Sequence, residues 1–432
     1  MQLPVILPPM DAQRYDCQGC THCCRDLLVQ LTSLDRRRID QQNWSDKLGV
    51  APYIRHGQNH VLSHTPDGAC VFLTDDGKCR IHAEHGLTAK PLACQLYPFT
   101  LEADADGLRI AMRFDCPTVA RNTGSPLAKH RRDLGRLAAE LAAALPSEMD
   151  ASRARWELVR GHPLAVKTVD AFVEQLHRWV RDQGRPLDQR LLGLHELIQT
   201  LVGARLDRFD DDRLCELIGL LTSDLGTVAS QAADAPIAPP TVRQSRLFRQ
   251  TVFAHCERVS PREARASLPK SLARRWDQLR RARRLAAGCG PIPRLGPMRV
   301  DADFDRLEGV RAAPGLSASR CDDLLTRYLQ ARIACRTAFG RAYYGWPILD
   351  GLHDLLLAVA VIGWLVRCVA VADDRDVYGF EDLVKAVGIV DAAAGRAPGL
   401  GSRSARLRLH YLARDRGLVR LLMAYPIIRQ AV

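Results

Sequence analysis

The sequence predicts an α+β chain: a small Cys-rich N-terminal domain built on short strands, followed by a large, mainly α-helical region. Three observations predict it. Eight of the 14 cysteines fall within the first 116 of 432 residues, and the other six are scattered singly beyond them. Between residues 59 and 114, short apolar segments alternate with turn residues, as strands do. Past about residue 125, apolar residues recur at steps of three and four, the period of amphipathic helices.

A chain of this length exceeds what one hydrophobic core usually serves. We expect three domains, at residues 1–125, 126–286 and 300–432. The formal net charge is +12. Residues 1–126 hold 13 Lys+Arg against 14 Asp+Glu, a balance of −1, which leaves +13 for the helical remainder. The densest basic run, KSLARRWDQLRRARR at 270–284, has helical spacing and lacks the interleaved aromatics of a base-stacking platform. Its arginines are expected on a solvated face, and nucleic acid is not expected as a partner. The opening residues MQLPVILPPM lack the basic end and long apolar run of a secretory signal. We therefore expect a cytoplasmic protein, whose closely spaced cysteines stay reduced and serve as ligands rather than disulfides.

Taken in order, Pro4, Pro8 and Pro9 oppose helix in the first residues. CQGCTHCC follows, with Cys17, Cys20, Cys23 and Cys24. On a helix, Cys17, Cys20 and Cys24 would share a face; in a loop, the CxxC unit can wrap a metal as a knuckle. LLVQLTSL at 27–34 reads as a short strand. Thr32 or Ser33 then caps a helix running to about Trp44, with Asp35 in its first turn. NHVLSH (59–64), ACVFLT (69–74) and KCRIH (78–82) read as strands. Asp76-Gly77 is a hairpin turn signal that carries Cys70 back toward Cys79. Pro91 suits the first turn of a short helix bearing Cys94. LRIAMRF (108–114) alternates as a strand and delivers Cys116. Helices are expected near 127–145, 164–182, 187–203, 210–226, 241–257 and 262–286, with linkers at 232–240 and 287–299. Helical periodicity resumes near Asp322. Leu355–Ala372 is 18 residues long with one charge, Arg367. That charge and the acids flanking the stretch predict a buried core helix rather than a membrane span.

Thiolates select Zn(II) or iron–sulfur clusters. The eight N-terminal cysteines, Cys17, Cys20, Cys23, Cys24, Cys70, Cys79, Cys94 and Cys116, are therefore candidate metal ligands. They suffice for two four-thiolate sites, or for one with four thiols left over. Cys23 and Cys24 are awkward together, since neighbouring side chains diverge by about 100° on a helix. One of the pair is expected to serve a second site or the surroundings of the first. His22, His82 and His85 lie nearby and are expected to be surface or hydrogen-bonding residues.

The ordered set CQGCTHCCR, CVFL..DGKCRIH and KPLACQLYPF resembles the YkgJ-type cysteine-cluster domain, also described as a CxxCxxCC zinc- or iron-chelating domain. Cys17, Cys20, Cys23, Cys24, Cys70, Cys79, Cys94, Tyr97, Pro98 and Phe99 carry the resemblance, and Lys90 stands where arginine is commoner. It covers about residues 14–120. The architecture is also loosely similar to the flagellin lysine-N-methylase group. The first resemblance implies an iron–sulfur cluster, of the 4Fe–4S type, or zinc. The second implies S-adenosylmethionine as cofactor, protein-lysine N-methylation, and a surface protein such as flagellin as partner. The alternative is a non-enzymatic zinc- or iron-binding protein. No catalytic or cofactor-binding residue is assigned. YYGWPILDGLHD (343–354) places Tyr343, Tyr344, Trp346, Asp350, His353 and Asp354 together. They suit either a pocket for a cationic side chain or, as the plainer reading, an acid-rich first helical turn.

Overall fold

A computed structural model describes residues 4–10, 12–104, 106–146, 150, 155–206, 209–257 and 268–428. The chain divides into two compact units, one built mainly on residues 11–152 and the other on 153–258 and 278–432. Short strands and short helices are mixed in the first and the second is mainly helical, the α+β arrangement expected.

The first unit contains two three-stranded sheets. In one, Gly107–Met112 pairs antiparallel with Phe99–Asp104 and parallel with Val5–Ile6. In the other, Asn59–Leu62 lies between Tyr53–His56 and Gln30–Leu31, antiparallel to both. Phe99–Asp104 was hidden in the sequence behind the Tyr-Pro-Phe motif. A small core of Leu31, Ile39, Trp44, Leu62, Val71, Phe72 and Ile81 forms beneath the second sheet. Cys24, Cys70, Cys79 and Cys94 all belong to this cluster or pack against it.

Helix Ser33–Gln41 starts where its cap dictates. Thr32 Oγ1 accepts from the Asp35 backbone N–H at 3.1 Å, and the Asp35 carboxylate accepts from Thr32 N–H at 2.9 Å. This reciprocal capping box satisfies two of the donors that a helix N-terminus leaves orphaned. The helix ends before Trp44, which opens a separate short helix, Trp44–Leu48.

The hairpin expected from 69–82 is not formed. Cys70 and Cys79 each make only an isolated bridge, to His64 and Leu73 respectively. Residues 80–82, read as strand, open the helix Arg80–His85 instead. Two local features override the strand pattern. Thr74 closes a tight turn, its N–H donating to Lys78 O at 2.9 Å, with Gly77 at φ +79°. Cys79 is then extended, and the helix that follows turns Ile81 into the small core.

In the second unit, helices Val166–Arg181, Leu187–Gly203 and Val242–Cys256 stand within a residue or two of their expected bounds. The segment 210–226 is two helices, Asp211–Ser223 and Leu225–Asp234, broken at Asp224, so the linker begins later than expected. Of the helix expected at 262–286, residues 262–267 lie outside the described set, and Leu268–Ala287 is helical. Ile348–Ala372 runs through the core, flanked by Leu187–Gly203, Phe380–Ala393, Arg403–Ala413 and Gly417–Ala424. By length and composition it could cross a membrane, yet 94% of its apolar window is buried inside the protein. Arg367 is accommodated there by protein groups. Its guanidinium donates to the Gly363 and Pro426 carbonyls and lies over the Tyr378 and Tyr425 rings. Gly363 meets the Tyr425 backbone so closely that no Cβ fits.

Candidate metal centre

Three separate stretches of the first unit deliver thiols to one cavity. Helix His22–Asp26 carries Cys23 and Cys24, and the turns at 65–79 carry Cys70 and Cys79. Helix Leu92–Leu96, entered through Pro91, carries Cys94. Backbone hydrogen bonds lock these pieces together. Cys70 N–H donates to Cys24 O at 2.8 Å, and Arg80 N–H to Phe72 O at 2.8 Å. The Asp35 carboxylate, buried after capping its own helix, also accepts from Leu92 N–H at 3.0 Å. It thereby fixes the start of the helix that presents Cys94.

The cavity measures about 50 Å³ and is lined by Cys23, Cys24, Cys70, Cys79 and Cys94, together with Lys90, Tyr97 and apolar side chains. Pockets for organic ligands run to about 300–1,000 Å³; this one is ion-sized. Its donors are sulfur, with no carboxylate or imidazole among the lining residues. That soft donor set fits zinc or iron and does not fit calcium or magnesium. Among the described residues, no three donor side chains already stand close enough to grip one ion.

The electrostatics are those of crowded thiols. The sulfurs of Cys23 and Cys24 are 4.0 Å apart. The hydrogen bond between them, in which either sulfur can donate, pulls the Cys24 thiol down to about 6, helped by Lys90 and Arg25. The same hydrogen bond, followed by burial, pushes Cys23 up. Burial raises Cys70 to about 12 and also raises Cys94. Burial alone would lower Lys90, but its neighbours Cys94, Cys79, Cys24 and Cys23 outweigh that and raise it. Lys90 is the cation that faces the thiols.

The remaining candidates lie elsewhere in the unit. Cys17 and Cys20 are exposed in the loop before helix His22–Asp26, so the shared helical face considered for Cys17, Cys20 and Cys24 does not form. Cys116 is buried at the start of helix Pro117–Arg121. Neither His22, His82 nor His85 lines the cavity; His85 packs edge-on against Trp44. Tyr15, which the sequence did not single out, stands beside Cys17 and shares the electrostatic field of Cys17, Cys116 and Cys23. Its place two residues before the first cysteine was the only signal available.

In the second unit, the polar–aromatic patch is satisfied internally. Asp350 accepts from Arg406 Nε at 2.7 Å and faces His410 Nε2 at 2.9 Å. The Asp354 carboxylate accepts from Tyr343 Oη. The Tyr343, Tyr344 and Trp346 rings pack on one another at centroid distances of 5.0–5.9 Å. These acids already hold the protein's own cations and phenol.

Residues 16–117 match the CxxCxxCC family, described as a candidate zinc- or iron-chelating domain. The match includes all eight N-terminal cysteines. An uncharacterized protein of Methanocaldococcus jannaschii is 28% identical over 95 residues, which are 22% of this chain and 32% of that protein. The chain thus spans about a third of that relative's length. No solved structure matches.

Proposed function

We propose that the N-terminal unit binds a metal centre, zinc or iron, through the thiolates of Cys24, Cys70, Cys79 and Cys94, with Cys23 at the rim and Lys90 balancing charge. The observation that carries this reading is the convergence of five thiols, from three stretches of chain, on one ion-sized cavity with no carboxylate or imidazole in its lining. Four thiolates around a divalent ion leave a net negative charge. A half-buried lysine at the wall offsets part of it and neutralises the repulsion that crowded thiolates would otherwise suffer. Cysteine side chains turn about χ1 between staggered wells, which gives these thiols freedom to reorient toward an ion. A bound metal of this kind would contribute directly to the stability of a unit whose apolar core is small. The match of residues 16–117 to a chelating family supports the same reading.

The test is metal and sulfide analysis of anaerobically purified protein, with an absorption spectrum. Near-stoichiometric zinc with no visible colour, or iron with sulfide and a broad band bleached by dithionite, is the expected result. Full retention of metal after Cys24→Ser, Cys70→Ser and Cys94→Ser are combined would overturn it.

A further inference from the structure

A larger cavity opens to solvent in the helical unit, where the end of helix Val166–Arg181 meets the corner between Asp211–Ser223 and Leu225–Asp234. It measures about 580 Å³, a volume that suits a small organic ligand rather than a bare ion. Its wall carries two cations, Arg178 and Arg185, against one carboxylate, Asp182. Asp182 is already engaged, accepting from Arg185 Nε at 3.1 Å and from Gly184 N–H at 3.2 Å.

Arg185 is held on three sides. Asp182 takes its Nε. The buried ring of Trp179 lies against the guanidinium, 5.5 Å from its carbon to the ring centroid. Gly226, in the first turn of Leu225–Asp234, flanks the terminal nitrogens; a Cβ there would stand 2.7 Å from Nη2, so the seat requires glycine. Trp179 is fixed in turn, its Nε1 donating to Arg190 O at 2.8 Å. Among the described residues, neither terminal nitrogen of Arg185 donates to a protein group. A preformed guanidinium fork thus faces the cavity. Arg178, at the rim, pairs with Glu174 one turn back at 3.2 Å. Both side chains are exposed, and a pair of that kind contributes little and yields to a stronger anion.

Much of the remaining polar wall is hydroxyl. Thr222 Oγ1 donates to Ile218 O at 2.8 Å, Ser223 Oγ to Leu220 O at 2.7 Å and Ser230 Oγ to Gly226 O at 3.0 Å. With their protons placed on helix carbonyls, these oxygens keep lone pairs that accept from a ligand's own O–H groups. Trp179 is the only aromatic in the lining; buried and covered by Arg185, it leaves no platform for a nucleobase.

We propose that this cleft binds the phosphate monoester of a small sugar, with Arg185 and Arg178 on the phosphate and Thr222, Ser223 and Ser230 on the sugar hydroxyls. The planar fork of arginine matches phosphate oxygens in pairs, with geometry as well as charge. Free phosphate would leave the hydroxyl wall and most of the volume unused, and an unphosphorylated sugar would leave the arginines without an anion. The site is independent of the metal centre and stands or falls without it.

The test is isothermal titration calorimetry of the full-length protein with ribose 5-phosphate and glucose 6-phosphate, and with inorganic phosphate and glucose as controls. At least one sugar phosphate is expected to saturate a single site per chain. Inorganic phosphate is expected to bind at least about tenfold more weakly, and glucose not at all. Arg185→Gln is expected to weaken the sugar phosphate at least about tenfold, with far-ultraviolet circular dichroism reporting its fold. Gly226→Ala crowds the guanidinium out of its seat while giving the helix a better helix former. It is expected to keep its Tm and lose affinity by a similar factor. Saturable binding of neither sugar phosphate would overturn the proposal, and so would inorganic phosphate binding as tightly as the sugar phosphates. Undiminished affinity in folded Arg185→Gln, or in Gly226→Ala should Arg185→Gln not fold, would overturn it as well.

Discussion

Adjacent Cys23 and Cys24 place their sulfurs 4.0 Å apart in a hydrogen bond in which either can donate, and that contact pulls the Cys24 thiol down to about 6 while it pushes Cys23 up. The thiolate is the nucleophile. In the metal-free, reduced chain at pH 7, Cys24 is expected to alkylate at least about tenfold faster than Cys23, a ratio set by thiolate fraction. Peptide mass spectrometry after timed iodoacetamide exposure reads it directly. Equal rates would mean that the pair does not share a proton.

Lys90 is the second residue to test. Removing a charge that supports metal ligands typically costs about 10–100-fold in affinity. Lys90→Gln is expected to fall in that range in a chelator competition, and Lys90→Arg to stay near wild type. If Lys90→Gln bound as tightly as wild type, the lysine would be only a wall of the cavity.

Acid sensitivity should come from the second unit. Burial lowers His195 and His353 to about 4; His353 and Arg416 lower His195 further, while Asp350 opposes and His410 adds to the shift of His353. The neutral His353 Nε2 accepts from Gln199 Nε2 at 3.0 Å. Their folded values lie below the unfolded value of about 6.5. The stability they contribute is therefore fully present above pH 6.5 and lost as pH falls through about 4. Asp354 has the opposite sign. Burial raises it to about 6 from an ordinary 3.8, so its contribution is present below 3.8 and lost as pH rises through 6. Two histidines against one carboxyl leave a net loss on acidification, on the order of 3 kcal/mol. His353→Gln should flatten the pH dependence of the urea midpoint between 6.5 and 4, and an unchanged slope would contradict this account.

Glycine substitutions separate close approach from helix propensity. Gly363→Ala drives a methyl group into the Tyr425 backbone, which cannot swing aside. The expected cost is about 1–3 kcal/mol, seen as a lower Tm. Gly219, inside helix Asp211–Ser223, has open space around it. Gly219→Ala is expected to gain about 0.5–1 kcal/mol.

What the sequence revealed was local, and what it concealed was tertiary. The Thr32–Asp35 cap and the bounds of helix Leu187–Gly203 follow from residues a few positions apart, so spacing alone exposes them. The backbone bond from Cys70 to the Cys24 carbonyl joins segments 46 residues apart, and no periodicity announces it. For the same reason, residue type named the eight thiols, but only the folded chain separates the five that line the cavity from Cys17, Cys20 and Cys116. The ionic partners of Asp350, which remove it from any pocket for a foreign cation, lie more than 50 residues downstream.

Helix Ile348–Ala372 has a consequence for biosynthesis. The helices that cover it, Phe380–Ala393, Arg403–Ala413 and Gly417–Ala424, leave the ribosome after it does. Until they arrive, a nascent chain presents a stretch as greasy as a membrane anchor, with Arg367 still lacking the Pro426 carbonyl it will meet. A chain stopped after Arg416 is expected to fractionate with aggregates or membranes, although every residue of the cysteine-rich unit is intact. Helix Gly417–Ala424 thus completes the cover of a helix that is apolar enough to enter a membrane.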